Sequence, residues 1–181
     1  MANNTLELFI ERTRAAWGPL DSALARTVRS QMAELARASS SEAWLAALLE
    51  EAPASKELYR DPTHGFVLLA HSEASGLYRP PHDHGRAWVV YALQQGEMEV
   101  GTYGRVHDPD GRVRLVQRDV TPFRAGDARV YLPSDIHDTR CLTGPSLLFR
   151  FAERDLKKED QQAHQVTRYV ERRGVWTVGA T

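Results

Sequence analysis

The run Trp88-Val89-Val90-Tyr91-Ala92-Leu93 constrains this chain more than any other. Six consecutive apolar residues, rich in β-branched and aromatic types, predict a buried strand. Immediately before it stands Pro80-Pro81-His82-Asp83-His84. The prolines remove backbone donors and stiffen the approach, which suits a strand entered from a loop. Two histidines two apart point to one face of an extended strand, the arrangement of adjacent metal ligands. A half-exposed polar face is the other reading of the pair. After the run, Gln94-Gln95-Gly96 predicts a turn into another strand.

Short strands recur from about residue 57 onward. They are Glu57–Arg60, Phe66–His71, Glu97–Tyr103, Arg112–Val120, Arg129–Pro133, Ile136–Cys141, Ser146–Phe151, Val166–Val170 and Val175–Val178. His107-Asp108-Pro109-Asp110-Gly111 reads as a hairpin turn. Strands with turns about every ten residues predict an all-β barrel or sandwich. The first fifty residues differ. Leu6, Phe9, Ile10 and Thr13 share a helical face, Gly18-Pro19 breaks that helix, and Leu20, Leu24, Val28, Met32 and Leu35 stripe a second. A third carries Trp44, Leu45, Leu48 and Leu49 and ends before Pro53, with Ser39 and Glu42 spaced for a capping box at its start. These stripes predict packing onto a neighbouring layer rather than a partner-binding surface. The expectation is one domain over 1–181, with a helical extension over 1–53 covering the outer face of a barrel over 57–178.

The 181 residues suffice for one real core, and 42% hydrophobic with 26% charged is ordinary for a globular chain. A net charge of −1 excludes a basic nucleic-acid footprint. The single cysteine, Cys141, rules out an intrachain disulfide and fits a reducing cytoplasm. The start of the chain lacks the apolar core of a secretion signal, and no apolar run approaches the roughly 20 residues of a membrane span. The expected location is cytoplasmic, with neither nucleic acid nor membrane as partner.

Gly76, His82, His84 and Gly96 are spaced as in the first motif of the cupin superfamily, which this stretch resembles. The glutamate ligand common in that motif is replaced here by Val89. Gly126-Asp127, Pro133 and His137 resemble the second motif, with Asp135 in place of its usual glycine and the histidine one residue early. The resemblance implies a mainly β jelly-roll barrel and a metal held by His82, His84 and His137. Three neutral imidazoles suit a divalent first-row ion, with iron, nickel, zinc and copper all compatible. Lack of the glutamate, a later third histidine and helices ahead of the barrel look like the thiol-dioxygenase branch, small cytosolic iron(II) enzymes acting on cysteine or mercaptopropionate. That resemblance covers roughly Leu58 to Phe151. It also fits the looser class of predicted metal-dependent proteins of this barrel fold, whose members pair as dimers in many cases, so a homodimer is an expectation.

The branch also implies substrate-binding residues. Arg60 stands at about the distance before the His-x-His where the family's carboxylate-binding arginine lies; a solvated strand arginine is the equal alternative. The family's late serine-x-histidine-x-tyrosine set falls on Ser146, Leu148 and Arg150, so only the serine is kept. The cysteine that some members cross-link to that tyrosine falls at Val89. A metal held by neutral ligands keeps its positive charge and favours an anionic, chelating substrate, with oxygen at a remaining position. Cations near the mouth would orient a carboxylate, and Arg60 and Arg150 are the candidates. If Val89 faces inward, Tyr91 does too, either in the site or as a core aromatic. Thr139 and Cys141 share the face of His137, and Cys141 reads as a small buried residue rather than a nucleophile. The expected function is a non-haem iron(II) dioxygenase for a small anionic substrate. Carbon–carbon cleavage of a diketone or aromatic acid, isomerase or hydrolase chemistry, and a non-catalytic ligand-binding module remain as alternatives.

Overall fold

A computed structural model describes residues 4–163 and 166–179. The residues before 4, on which the reading of the chain's start partly rests, and the last two of the expected domain lie outside them. Three helices come first: α1 (Thr5–Ala16), α2 (Ser22–Ala36) and α3 (Ala43–Glu51). Strands follow as β1 (Lys56–Arg60), β2 (Val67–Glu73), β3 (Tyr78–His82), β4 (Val89–His107), β5 (Val113–Arg124), β6 (Ala128–Tyr131) and β7 (Ile136–Ala152). A fourth helix, α4 (Leu156–Ala163), and a small hairpin of β8 (Tyr169–Arg172) and β9 (Val175–Val178) end the chain. The expected mainly β fold with helices packed on its outside is what forms. Among the described residues no helix is long and apolar enough to cross a membrane.

The long strands β4 and β7 are the frame. They pair antiparallel along all of β7 and most of β4, from Val89 opposite Ala152 to Tyr103 opposite Ile136. The ladder slips between Leu93 and Met98, where the two strands bend together. The early half of β4 also pairs with β6, and its later half with β5. The late half of β7 pairs with β2, and its early half with β3. Two facing sheets therefore share two bent strands, and their inner faces enclose the interior.

Alternation then sorts the buried run. Val90 and Ala92, with Phe149, Phe151, Leu68 and Ala70 from neighbouring strands, pack beneath Val28, Met32, Leu35, Leu45 and Leu48 of the helices. Val89, Tyr91 and Leu93 face the interior with Met98, Phe123, Tyr131 and Leu148. The apolar run is unbroken because both faces of this strand are covered.

Three expectations need correction. Gln94-Gln95-Gly96 is not a turn: β4 runs through it as a bulge, with Gly96 at φ +91. A Cβ there would lie 2.3 Å from Ser146 Oγ, so glycine is required by close approach as well as by φ. Ile136–Cys141 and Ser146–Phe151 are one strand, bent opposite that bulge. The Ser39–Glu42 capping box does not form. Glu42 is itself the N-cap of α3 and makes no side-chain cap bond, because its carboxylate accepts from Thr5 N and Trp44 Nε1 at 2.9 and 2.7 Å. The real box is at α1, where Asn4 and Glu7 bond reciprocally. One element, α4, carried no sequence expectation; it is short, and half of its residues are charged.

Candidate metal centre

His82 is the last residue of β3 and sits directly opposite His137 at the start of β7. Cross-strand partners place their side chains side by side on one face, which brings two rings from distant sequence together. His84 lies beyond the strand end, in the loop leading to β4. Only one member of the His-x-His is thus on a strand, though the two rings still converge. Ring centroids are 5.1 Å apart for His82–His84, 4.8 Å for His82–His137 and 5.1 Å for His84–His137. One ligand nitrogen from each lies within 4.8 Å of the others. That is close to the roughly 3–4 Å donor spacing imposed by metal–nitrogen bonds of about 2.1 Å.

The donor set fits a divalent cation. His137 is fully buried, and neither ring nitrogen has a hydrogen-bond partner. Such a group is costly unless a ligand claims it. His82 Nδ1 lies 2.9 Å from the Pro80 carbonyl, so donation there leaves Nε2 as the metal donor. Burial pushes all three imidazoles below their ordinary pKa, most strongly His84 and His137, and the positive charge of Arg150 pushes the same way. They are neutral at pH 7 and ready to ligate. Tyr131 stacks on His137 with centroids 3.9 Å apart at 22°, while Tyr91 meets its ring edge-on at 5.2 Å. These aromatics fix the ring and keep water from its flank.

The cluster opens into a cavity of about 670 Å³. His82, His84, Tyr91 and Arg150 line it. Tyr91 Oη is 3.3 Å from His84 Nε2, and burial raises its pKa, so it carries its proton. Arg150 lies across the ladder from Tyr91, and its Nε is buried with no partner. Arg60 is not brought here. It is on β1 with its guanidinium bonded to Glu57 and Asp155, at 2.6 and 2.8 Å, and it does not line the cavity. Its reading as a solvated strand arginine matches that position. Cys141 is buried in contact with Ser146 Oγ at 3.0 Å, away from the cavity wall.

Three further residues line the cavity that no sequence expectation covered: His71 and Glu73 on β2, and Arg79 on β3. His71 Nε2 and Glu73 Oε2 are buried without partners, while Glu73 Oε1 accepts from Arg79 Nε at 2.7 Å. The signal in the sequence was slight: His71 and Glu73 stand two apart, on one face, at the polar end of a strand that begins Val67-Leu68-Leu69-Ala70. The cavity thus holds donors and acceptors beside neutral imidazoles, with Arg150 and Arg79 among its cations.

No protein-family model and no curated protein matches the sequence. Among solved structures, the chain is similar to KdgF from a Halomonas species, at 22% identity and TM-score 0.45, over 56% of this chain and 80% of that one. It is similar to the cupin domain of Cnp3 from Schizosaccharomyces pombe at 9% identity and TM-score 0.44, over 60% and 65%. An oxalate oxidase is similar at 24% identity and TM-score 0.39, over 55% of this chain. The chain spans half the length of that enzyme and just under two thirds of the Cnp3 domain.

Proposed function

We propose that this chain is a cupin that holds a divalent metal, iron(II) foremost, on His82, His84 and His137, and works as a dioxygenase on a small anionic substrate such as a thiol carboxylate. One observation carries the reading: three neutral imidazoles converge on one point, and two of them, His82 and His84, line a cavity that Arg150 also lines. A metal bound there would supply Lewis acidity and a place for oxygen to meet the substrate. The chain's own residues do the rest. Arg150, which lines the cavity, binds the substrate carboxylate through its guanidinium and fixes the pose. Tyr91 holds its phenolic proton; once His84 Nε2 is engaged as a ligand, that hydroxyl turns to the substrate as donor. The apolar interior around Leu93, Met98 and Leu148 excludes water from the reacting atoms.

A metal-dependent enzyme without oxygen chemistry is the second reading. It is favoured by Leu148 and Arg150 standing where the thiol dioxygenases have histidine and tyrosine. The two separate by oxygen-electrode measurement on iron-loaded protein with cysteine, mercaptopropionate or a diketone. Uptake with a thiol carboxylate supports the first; silence with all three sinks it. Elemental analysis tests the layer beneath. The wild type should carry close to one metal per chain and His82→Ala close to none. Full occupancy in that variant removes the ligand assignment.

A further inference from the structure

Asp83 stands between the two ligands of the His-x-His, and alternation turns its side chain away from theirs. It is 1% exposed, an unusual place for a carboxylate unless it is held by partners. The partners come from three parts of the chain. Oδ1 accepts from Gly85 N and from Thr167 N, each at 3.0 Å. Oδ2 accepts from the Arg105 guanidinium on β4. Arg105 in turn donates from Nε to Tyr169 Oη at 2.6 Å. The backbone joins as well: Asp83 N donates to the Thr167 carbonyl at 3.0 Å, and His82 bridges Arg168. Tyr169 is buried with Tyr103, Leu115 and Ile136, the last being the neighbour of His137. From the same segment, Val166, Arg168, Tyr169 and Val170 form a wall of the cavity.

A carboxylate fixed by three donors, on a residue whose own N–H is bonded as well, cannot turn without disturbing the backbone of His82 and His84. From this we infer that Asp83 is a positioning residue of the metal centre, coupling its two neighbouring ligands to the C-terminal hairpin. Metal loading and docking of 166–172 then reinforce one another, because coupling between two sites is reciprocal. The cavity wall is complete only when both are in place. This inference rests on the metal reading of the three histidines.

The test uses cobalt(II) as the probe and the full chain. In Asp83→Ala, cobalt(II) affinity falls about 10–100-fold, the usual cost of losing an outer-sphere partner. Its visible spectrum changes shape as the imidazoles reorient, and Asp83→Asn, which keeps an acceptor for the Gly85 and Thr167 amides, restores part of both. Tyr169→Phe touches no ligand and keeps the fold; it weakens cobalt(II) roughly threefold to tenfold, the worth of one hydrogen bond. In the reverse direction, saturating cobalt(II) slows hydrogen exchange at the Thr167 amide at least tenfold in the wild type, and far less in Tyr169→Phe. Wild-type affinity and spectrum in both variants, or exchange at Thr167 indifferent to cobalt(II), overturns the coupling while leaving the metal site standing. A wild type that takes up no cobalt(II) overturns the metal reading and the coupling with it. Should Asp83→Ala fail to fold, Tyr169→Phe decides alone by the same measurements.

Discussion

The two faces of the β4–β7 ladder are made from the same strands and have opposite character. The face under the helices is apolar at every ladder position from Val90 and Ala92 to Phe149 and Phe151, and its rings interlock: Phe151 packs against Phe9, Trp17, Phe66 and Trp88. The inner face carries Tyr91 and Arg150 among its apolar residues and looks onto the histidines. Buried side-chain polar atoms without partners follow the same division. Among the described residues, those of His71, Glu73, Tyr131, His137, Thr139 and Arg150 all belong to the inner side, and Gln94 alone to the other. Each such atom costs about 1–3 kcal/mol when nothing satisfies it. Their concentration on one side shows where the fold trades stability for chemistry.

The largest expected effect tests the apolar face. Phe151→Ala should destabilise the protein by about 3–5 kcal/mol, since it opens a cavity among four aromatic neighbours. Urea unfolding checks this, and metal affinity measured below the transition should be unchanged. A loss of metal affinity in the folded variant would break the division of labour between the faces.

Next comes pH. Burial, helped by Arg150 and Arg79, lowers the pKa of His71 to about 4 from an ordinary value near 6.5. The unfolded chain therefore takes up a proton below about pH 6.5 that the folded chain refuses until about pH 4. Stability is full above that window and falls through it as pH drops, by at most about 3 kcal/mol at 1.4 kcal/mol per unit. Thermal unfolding of metal-free wild type against His71→Gln between pH 7 and 4 should show a shallower decline in the variant. Equal slopes would remove His71 from the account.

Arg150→Met sharpens the contrast with Phe151→Ala. Here stability should hold or rise, because a half-buried cation with an unpartnered Nε is replaced by an apolar chain of similar length. Affinity of the metal-loaded protein for mercaptopropionate should fall by about 1.5–3 kcal/mol, the worth of hydrogen bonds to a charged group. Calorimetric titration reads the affinity, and an unchanged value would take Arg150 out of substrate binding.

Much of this was legible in the sequence, for reasons that also explain what was not. Periodicity exposes elements that bury one side, so the three helices and the strand at Trp88–Leu93 were readable. His82 and His84 stood out because their spacing resembles a known motif, and His137 stood out less because it comes one residue early for its own. Arg60 and Arg150 could not be told apart by type or spacing; the difference is that Glu57 and Asp155 neutralise one, while the ladder carries the other inward. Asp83 was hidden because its partners, Arg105 and Thr167, lie 22 and 84 residues away. Gly96 looked like a turn because glycine at positive φ marks turns and bulges alike, and only the pairing register distinguishes them.

The smallest effect concerns the caps, where local spacing pointed to the wrong helix. Ser39 and Glu42 have the pattern of a capping box, yet Glu42 is held by Thr5 and Trp44 and Ser39 bonds within its own turn. Asn4 and Glu7 make the box instead, at the exposed start of α1. Asn4→Ala should therefore cost about 1 kcal/mol. Ser39→Ala should stay within about 0.5 kcal/mol, as for a surface change away from any special feature. Paired urea unfolding of the two variants reads the difference directly. Both lie in the helical layer, so neither should alter cobalt(II) affinity; a cap variant that did would mean the layer reaches the metal centre through the ladder after all.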